Sequence, residues 1–115
     1  MNEEIELMMK IYNTYDVDWM ADEIKSPSSL TRHHIVKKES GGENSINNYA
    51  LLTQDSHHLL HFLEDNYYSD YVNLNKYFLE LNESGNPPNE EYFNEIKSII
   101  KRVKKSIKNK KRQRK

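Results

Sequence analysis

All five histidines of this 115-residue chain lie in one short window. They occur as His33-His34 in "LTRHHIVKKESGG" and as His57-His58 and His61 in "QDSHHLLHFLE". For any single pair, a surface or core-edge position without a function is the more common explanation. Five clustered imidazoles favour one shared site, and a chain that forms it must bring two separate segments together.

The segments that carry the histidines predict a β-hairpin followed by a helix. Residues 30–36 are partly β-branched and predict a strand, and residues 46–52 predict a second, mostly apolar strand. The polar turn between them contains a glycine pair. From residue 53 the apolar residues recur at helical spacing, which predicts a helix to about residue 66. Three polar residues are candidates for its N-cap: Thr53, Asp55 and Ser56.

The rest of the chain predicts helices on both sides of this unit. Two helices fit residues 2–24, the second of them over residues 17–24, and further helices fit residues 70–108. The chain has the length of one domain. We therefore predict an α+β, mostly helical fold, a single domain over residues 1–115 with the hairpin and its helix at about residues 30–66.

Charge is distributed unevenly along the chain. Residues 1–95 contain six basic and all 18 acidic residues, a net charge of −12, whereas residues 96–115 contain eleven basic residues and no acidic one. Such a basic block commonly binds phosphates, although a solvated helix end is an equally good explanation of the run alone. We expect residues 108–115 to be a disordered basic tail when nothing is bound.

The chain contains no cysteine, which excludes a disulfide framework and a thiolate zinc site. A transition-metal site would therefore use imidazole and carboxylate ligands. Residues 2–6 are acidic where a signal peptide is basic, and no long apolar run follows them. We expect a soluble, cytoplasmic protein with no membrane partner.

The helical histidines have the spacing of metal ligands. His57 and His61 lie on one face of the predicted helix because residues four apart are neighbours. Position 58 is His rather than Glu, so the His-Glu-x-x-His pattern of a zinc protease lacks its general base. The His33-His34 pair is the other source of imidazole. Three imidazoles around one divalent cation, with a fourth as general base, suit the hydrolysis of a phosphodiester.

The combined pattern "HHIVKKESGGENSINNYALLTQDSHHLLH" resembles the HNH endonucleases, also called His-Me finger or ββα-metal nucleases. In that family a pair ending in His lies on the first strand, an Asn on the second, and His on the helix. The gaps here are 14 residues from His34 to Asn48, nine from Asn48 to His57, and four from His57 to His61. The chain is most similar to the subset that includes colicin-type DNases. The resemblance covers about residues 30–65.

The resemblance implies a role for each matched residue and a bound cofactor. His34 matches the general base, and Asn48 matches the Asn that holds this base in position. The cofactor implied is one divalent metal ion, which is Mg, Mn, Zn or Ni. Its ligands are matched by three histidines: His33, His57 and His61.

Three details of this assignment stay open at the level of sequence. Asn47 replaces Asn48 if the register differs by one, although the nine-residue gap favours Asn48. His58 lies about 100° round the helix from its neighbour and is not expected to be a ligand. Adjacent strand residues face opposite sides, so His33 and His34 need a strand end or a local distortion to serve one site.

The resemblance also implies a substrate and a setting. We expect a bacterial or phage-encoded nuclease whose partner is DNA, with RNA as the second possibility, and a homodimer is compatible with the family. The alternative functions are a metal-stabilised nucleic-acid-binding module without cleavage and a small interaction protein without metal. The residues expected to contact nucleic acid are Arg32, Lys37, Lys38, Lys104, Lys105, Lys108, Lys110, Lys111, Arg112, Arg114 and Lys115.

Overall fold

The computed structural model describes residues 2–113, and these form four α-helices, a two-stranded antiparallel sheet and three short 3₁₀ turns. The helices are α1 (Glu3–Tyr12), α2 (Gln54–Asn66), α3 (Tyr68–Ser84) and α4 (Glu90–Gln113). The strands are β1 (Thr31–His34) and β2 (Tyr49–Leu52), and the 3₁₀ turns are Pro27–Ser29, Lys38–Ser40 and Ile46–Asn48. The predicted α+β, mostly helical class is confirmed. In the described part of the chain, no helix combines the length and apolar character that crossing a membrane requires.

The sheet lies at the centre of the hydrophobic core. β1 and β2 pair antiparallel, with His34 opposite Tyr49. All four residues of β2 are buried because α1, α2 and α3 pack against it. Pairing continues past the end of β1, where the Ile35 N–H donates to the Asn48 carbonyl at 2.9 Å. β2 therefore holds β1, with its two histidines, against the helices.

The helix α2 begins directly after β2, at a polar cap. The Thr53 hydroxyl oxygen accepts the backbone N–H of Ser56 at 3.1 Å, which satisfies one of the free donors of the first turn. Thr53 is thus the cap among the three candidates. Leu60 and Leu63 are buried, and α2 packs against both strands and α3. This packing fixes the rotation of α2 and so decides which histidines face the hairpin.

The prediction of a helix over residues 17–24 is wrong, because this segment forms a tight loop. The Asp18 carboxylate accepts the backbone N–H groups of Met20 and Asp22 at 2.8 and 2.9 Å. Bonds of this local kind compete with the hydrogen bonds of a helix. The backbone N–H of Trp19 donates to the carbonyl of Leu51 in β2 at 3.1 Å, which fixes the loop to the sheet.

The helices predicted over residues 70–108 are present as α3 and α4, which together extend beyond this range at both ends. α3 ends at Ser84, where Gly85 adopts a left-handed φ of 64°. α4 continues to Gln113 and so covers residues 108–113 of the tail that the sequence predicts to be disordered. Lys, Arg and Gln are good helix formers, and positive charge is favourable at a helix C-terminus. The last two residues of the predicted tail lie outside the described residues.

Candidate functional site

A cleft of about 350 Å³ lies between the sheet, α2 and α3. This histidine cleft is lined by four of the five histidines: His33, His34, His57 and His61. Its other lining residues are Arg32, Lys37, Lys38, Glu39, Glu64 and Tyr71. His58 is exposed and does not line the cleft, in line with its place on the helix. The predicted ligands and the predicted base therefore share one cleft.

His33 is buried, and its hydrogen bond fixes which ring nitrogen carries the proton. Its Nε2 lies 2.8 Å from Asn75 Oδ1, which only accepts, while Asn75 Nδ2 donates to the Tyr71 carbonyl. Nε2 is therefore the N–H group, and Nδ1 keeps a lone pair. Burial lowers the pKa of His33 to about 4, and the neighbouring histidines add to this effect. The ring is thus neutral near pH 7, as a metal ligand must be.

His57 is oriented by a relay of two hydrogen bonds through Thr31. The Thr31 hydroxyl donates to the Leu52 carbonyl at 2.9 Å, and its oxygen lies 2.8 Å from His57 Nδ1. Since a hydroxyl has one proton, Nδ1 must donate and Nε2 keeps the lone pair. Burial, and then the charge of His61, lowers the pKa of His57. Its ring centroid lies 5.7 Å from that of His33.

His61 completes the cluster but is exposed, and its ring stacks on that of His57 with 4.8 Å between centroids. Its Nδ1 lies 3.9 Å from Glu64 Oε1. Within residues 2–113, no three His, Asp or Glu side chains converge on one point that could hold a metal ion. The donor chemistry of His33 and His57 nevertheless fits a metal, because each ring has one nitrogen hydrogen-bonded and the other available.

His34 is the last residue of β1 and is held by a second asparagine. Its Nε2 lies 2.9 Å from Asn44 Oδ1, and this oxygen also accepts the Tyr49 hydroxyl at 3.0 Å. The Tyr49 ring meets the imidazole edge-on, with 5.2 Å between centroids. Because Oδ1 only accepts, Nε2 carries the proton and Nδ1 keeps its lone pair. His34 is therefore prepared to accept a proton at Nδ1.

Asn48 is buried and clamps the hairpin loop rather than the imidazole of His34. Its Nδ2 donates to the carbonyls of Val36 and Glu43 at 2.8 and 2.9 Å, and its Oδ1 accepts the Val36 N–H at 2.8 Å. Asn47 is exposed. The clamp joins the end of β1 to the loop segment that carries the asparagine bonded to His34. Asn48 thus supports the loop beside Asn44, which is the hydrogen-bond partner of His34.

The two glycines of the hairpin loop, Gly41 and Gly42, are each needed for a different physical reason. Gly41 adopts a left-handed φ of 88° with open space around it. At Gly42 an added Cβ would lie 1.8 Å from the Val36 carbonyl oxygen and 2.9 Å from Asn48 Nδ2. Only glycine allows the loop to approach the strand so closely. Gly42 is thus required for the packing around Asn48, whereas Gly41 is required for the turn.

Three of the predicted nucleic-acid contacts lie at the histidine cleft: Arg32, Lys37 and Lys38. The Arg32 guanidinium forms an ion pair with Glu4 at 2.7 Å and lies 5.2 Å from the centroid of the Tyr49 ring. Lys37 forms an ion pair with Glu64. The cation of each pair is exposed, so water screens the pair and a phosphate can compete with the carboxylate.

The basic residues of α4 are not brought to the histidine cleft, whose lining contains no described residue of that helix. Lys104 lines a separate groove with Asp22 and Asp55. Lys110 Nζ lies 4.8 Å from the centroid of the Tyr67 ring. Two further predicted contacts are exposed on α4: Lys105 and Lys108. The remaining predicted contacts lie outside the part of the chain that the structure describes: the side chains of Lys111 and Arg112, and the whole of Arg114 and Lys115.

Four residues that orient or neighbour the histidines were missed by the sequence reasoning: Thr31, Asn44, Glu64 and Asn75. Glu64 had a detectable signal, because it follows His61 by three positions on one helix. Thr31 lies two positions before His33, on the same face of a strand. Asn44 and Asn75 had no signal in the sequence that distinguished them from other asparagines.

Comparisons of the chain with protein-family models, with curated proteins and with solved structures find no match. The resemblance to HNH endonucleases therefore rests on the residues and spacings described above, and function must be argued from the site.

Proposed function

We propose that this protein is a metal-dependent endonuclease of the HNH type that hydrolyses phosphodiester bonds in DNA. The observation that carries the proposal is the shared histidine cleft. Four histidines line it, and the hydrogen bonds of three of them leave one ring nitrogen with a free lone pair. Basic side chains at the same cleft provide attraction for a phosphate.

His33, His57 and His61 would hold one divalent cation, which is Mg, Mn, Zn or Ni. When bound, the cation supplies positive charge that polarises the scissile phosphate. The protein contributes the orientation of the imidazoles. Thr31 and Asn75 each bond the second nitrogen of a ligand, an arrangement that fixes ring rotation and raises ligand basicity.

His34 acts as the general base in this proposal. Its Nδ1 takes a proton from the attacking water, and the water oxygen then bonds to phosphorus in line with the departing 3′ oxygen. The bond between phosphorus and the 3′ oxygen breaks, and the 3′ oxygen takes a proton from solvent water, so the products are a 5′ phosphate and a 3′ hydroxyl. The imidazolium that forms keeps its hydrogen bond from Nε2 to Asn44, so the ring stays in place through the reaction.

Arg32 and Lys37 position the substrate. Both line the cleft beside the histidines, and both are exposed cations paired to carboxylates with which a phosphate can compete. A guanidinium forms two parallel bonds with phosphate oxygens, whereas an ammonium acts as a point charge. We therefore assign orientation of the strand to Arg32 and charge neutralisation to Lys37.

Plasmid nicking tests the proposal. Protein stripped of metal by a chelator is incubated with supercoiled DNA and Mg²⁺, Mn²⁺, Ni²⁺ or Zn²⁺ in turn, with a structured RNA in parallel. Relaxation or linearisation only in the presence of metal, retained by the control variant His58→Ala, is the expected result. A rise in melting temperature with metal but no cleavage of any substrate would favour the alternative, a metal-stabilised nucleic-acid-binding module. If metal causes neither cleavage nor a rise in melting temperature, both the nuclease and the metal-stabilised binding module are contradicted.

A further inference from the structure

A second, apolar groove of about 370 Å³ adjoins the histidine cleft. The lining of this tyrosine groove includes four apolar or aromatic side chains that are at least partly exposed: Val36, Tyr68, Val72 and Leu79. Tyr68 is 63% exposed, and the two valines are exposed as well. Large exposed apolar side chains that share one concave surface commonly mark a binding site. The groove is of a size that suits one small ring-containing ligand.

The groove and the cleft are continuous, because Lys37, Glu64 and Tyr71 line both. A nucleic-acid strand with a phosphate beside the histidines would therefore bring an adjoining nucleotide to the groove. Lys37 stands between the two surfaces, and Lys76 lies at the groove itself. Both lysines line the groove, so each offers positive charge to the phosphates of a nucleotide bound there.

The chemistry of the groove fits a nucleobase. The Tyr68 ring stacks on Tyr71 with 5.8 Å between centroids and 28° between planes. This contact supports the ring, while Tyr68 remains largely exposed and can stack on a planar ligand. Aromatic rings of this kind are the usual platform for unpaired bases, and they accept any base because each has a π-face. A base inside a duplex cannot reach such a platform without leaving the stack.

We propose that the tyrosine groove binds one unpaired nucleobase next to the scissile phosphate, so that single-stranded nucleic acid is the preferred substrate class. The inference rests on the proposed nuclease function. Tyr68 stacks on the base, the valines and Leu79 cover its edge, and Lys37 and Lys76 bind the flanking phosphates.

Fluorescence anisotropy with a labelled single-stranded DNA oligonucleotide and its duplex, in chelator, measures the docking separately from cleavage. Tyr68→Ala should weaken binding of the single strand about 10- to 100-fold and leave duplex binding nearly unchanged. Tyr68→Phe keeps the ring and should bind as the wild type does. Tyr15→Ala removes another exposed tyrosine and should have no effect. Unchanged single-strand binding by Tyr68→Ala would overturn the proposal.

Cleavage measurements separate failure of this inference from failure of the nuclease proposal. Metal-dependent cleavage that is equal for wild type and Tyr68→Ala on single-stranded DNA would overturn the docking and leave the nuclease standing. The Tyr68-dependent preference for single strands, without cleavage under any metal, would support the docking and overturn the nuclease. Faster cleavage of single strands than of duplex, lost in Tyr68→Ala, supports both.

Discussion

Replacing His33 by glutamine should abolish the loss of stability that this imidazole causes between about pH 7.5 and about pH 4.5. The imidazole is 6% exposed, and burial lowers its pKa to about 4 from the ordinary value of 6.5. Between these values the unfolded chain binds a proton that the folded protein does not, so the free energy of unfolding decreases as the pH falls. Linkage gives a loss of about 2 to 3 kcal/mol at about pH 4.5 and almost none above the unfolded pKa. Glutamine does not titrate, and its amide can still donate to Asn75.

Urea unfolding at both pH values measures this free energy, with a chelator present so that no metal holds the imidazoles. Burial raises the pKa of Asp18, which gives a pH dependence of opposite sign, but this contribution is common to both proteins and cancels in their difference. His58→Gln is the matched control, because it removes an exposed histidine from the same region. Equal losses of stability in wild type and His33→Gln would refute the reasoning.

Other predictions concern the loop, the base and the N-terminal segment. Gly42→Ala should cost at least about 2 kcal/mol more in urea unfolding than Gly41→Ala, because only its Cβ would meet a backbone carbonyl, at 1.8 Å; equal stabilities would contradict the close packing. Asn44→Ala should reduce the cleavage rate at saturating substrate about 10- to 100-fold with little change in melting temperature, because it orients the base from an exposed position. Asp18→Ala leaves three buried or partly buried backbone N–H groups without their acceptor, and should destabilise the protein by about 3 kcal/mol or more in urea unfolding. Truncation after Lys108 should weaken DNA binding for all sequences alike and flatten its salt dependence, as measured by anisotropy at increasing salt.

The hairpin and α2 were predictable from sequence because their signals are local. The change of period at Thr53 marks the start of α2, and its cap is one of the three residues proposed. The apolar run of β2 reflects its burial on both sides. In both elements the spacing of the apolar residues matches the secondary structure that forms.

The loop over residues 17–24 was not predictable in the same way. The spacing of Trp19 and Met20 with Ile24 fits a helix, but the bonds that decide the structure are not visible in spacing. One set comes from the Asp18 side chain, and another joins Trp19 to β2, more than thirty residues away. Tertiary contacts of this kind override local preference.

In the candidate site, too, the local features were predictable from sequence and the long-range contacts were not. The spacing of His57 and His61 on one helix, and the proximity of both to His33, follow from a hairpin and a helix that are close in sequence. The partners that orient the rings come from elsewhere: Asn75 is 42 positions from His33, and Thr31 is 26 positions from His57. Packing of β1 against α3 creates the first contact and packing of β1 against α2 creates the second, so only the folded chain reveals them.

The measurement that tests the account most directly compares His34→Ala with His57→Ala in two assays, plasmid nicking and the metal-dependent rise in melting temperature. A metal bound only by the folded protein stabilises it by about 2.7 kcal/mol at about 100 times its Kd. The account predicts that His34→Ala loses cleavage but keeps this stabilisation, whereas His57→Ala loses both. If His34→Ala loses the stabilisation by metal, or if His34→Ala still cleaves DNA, the assignment of base and ligands in the histidine cleft is contradicted.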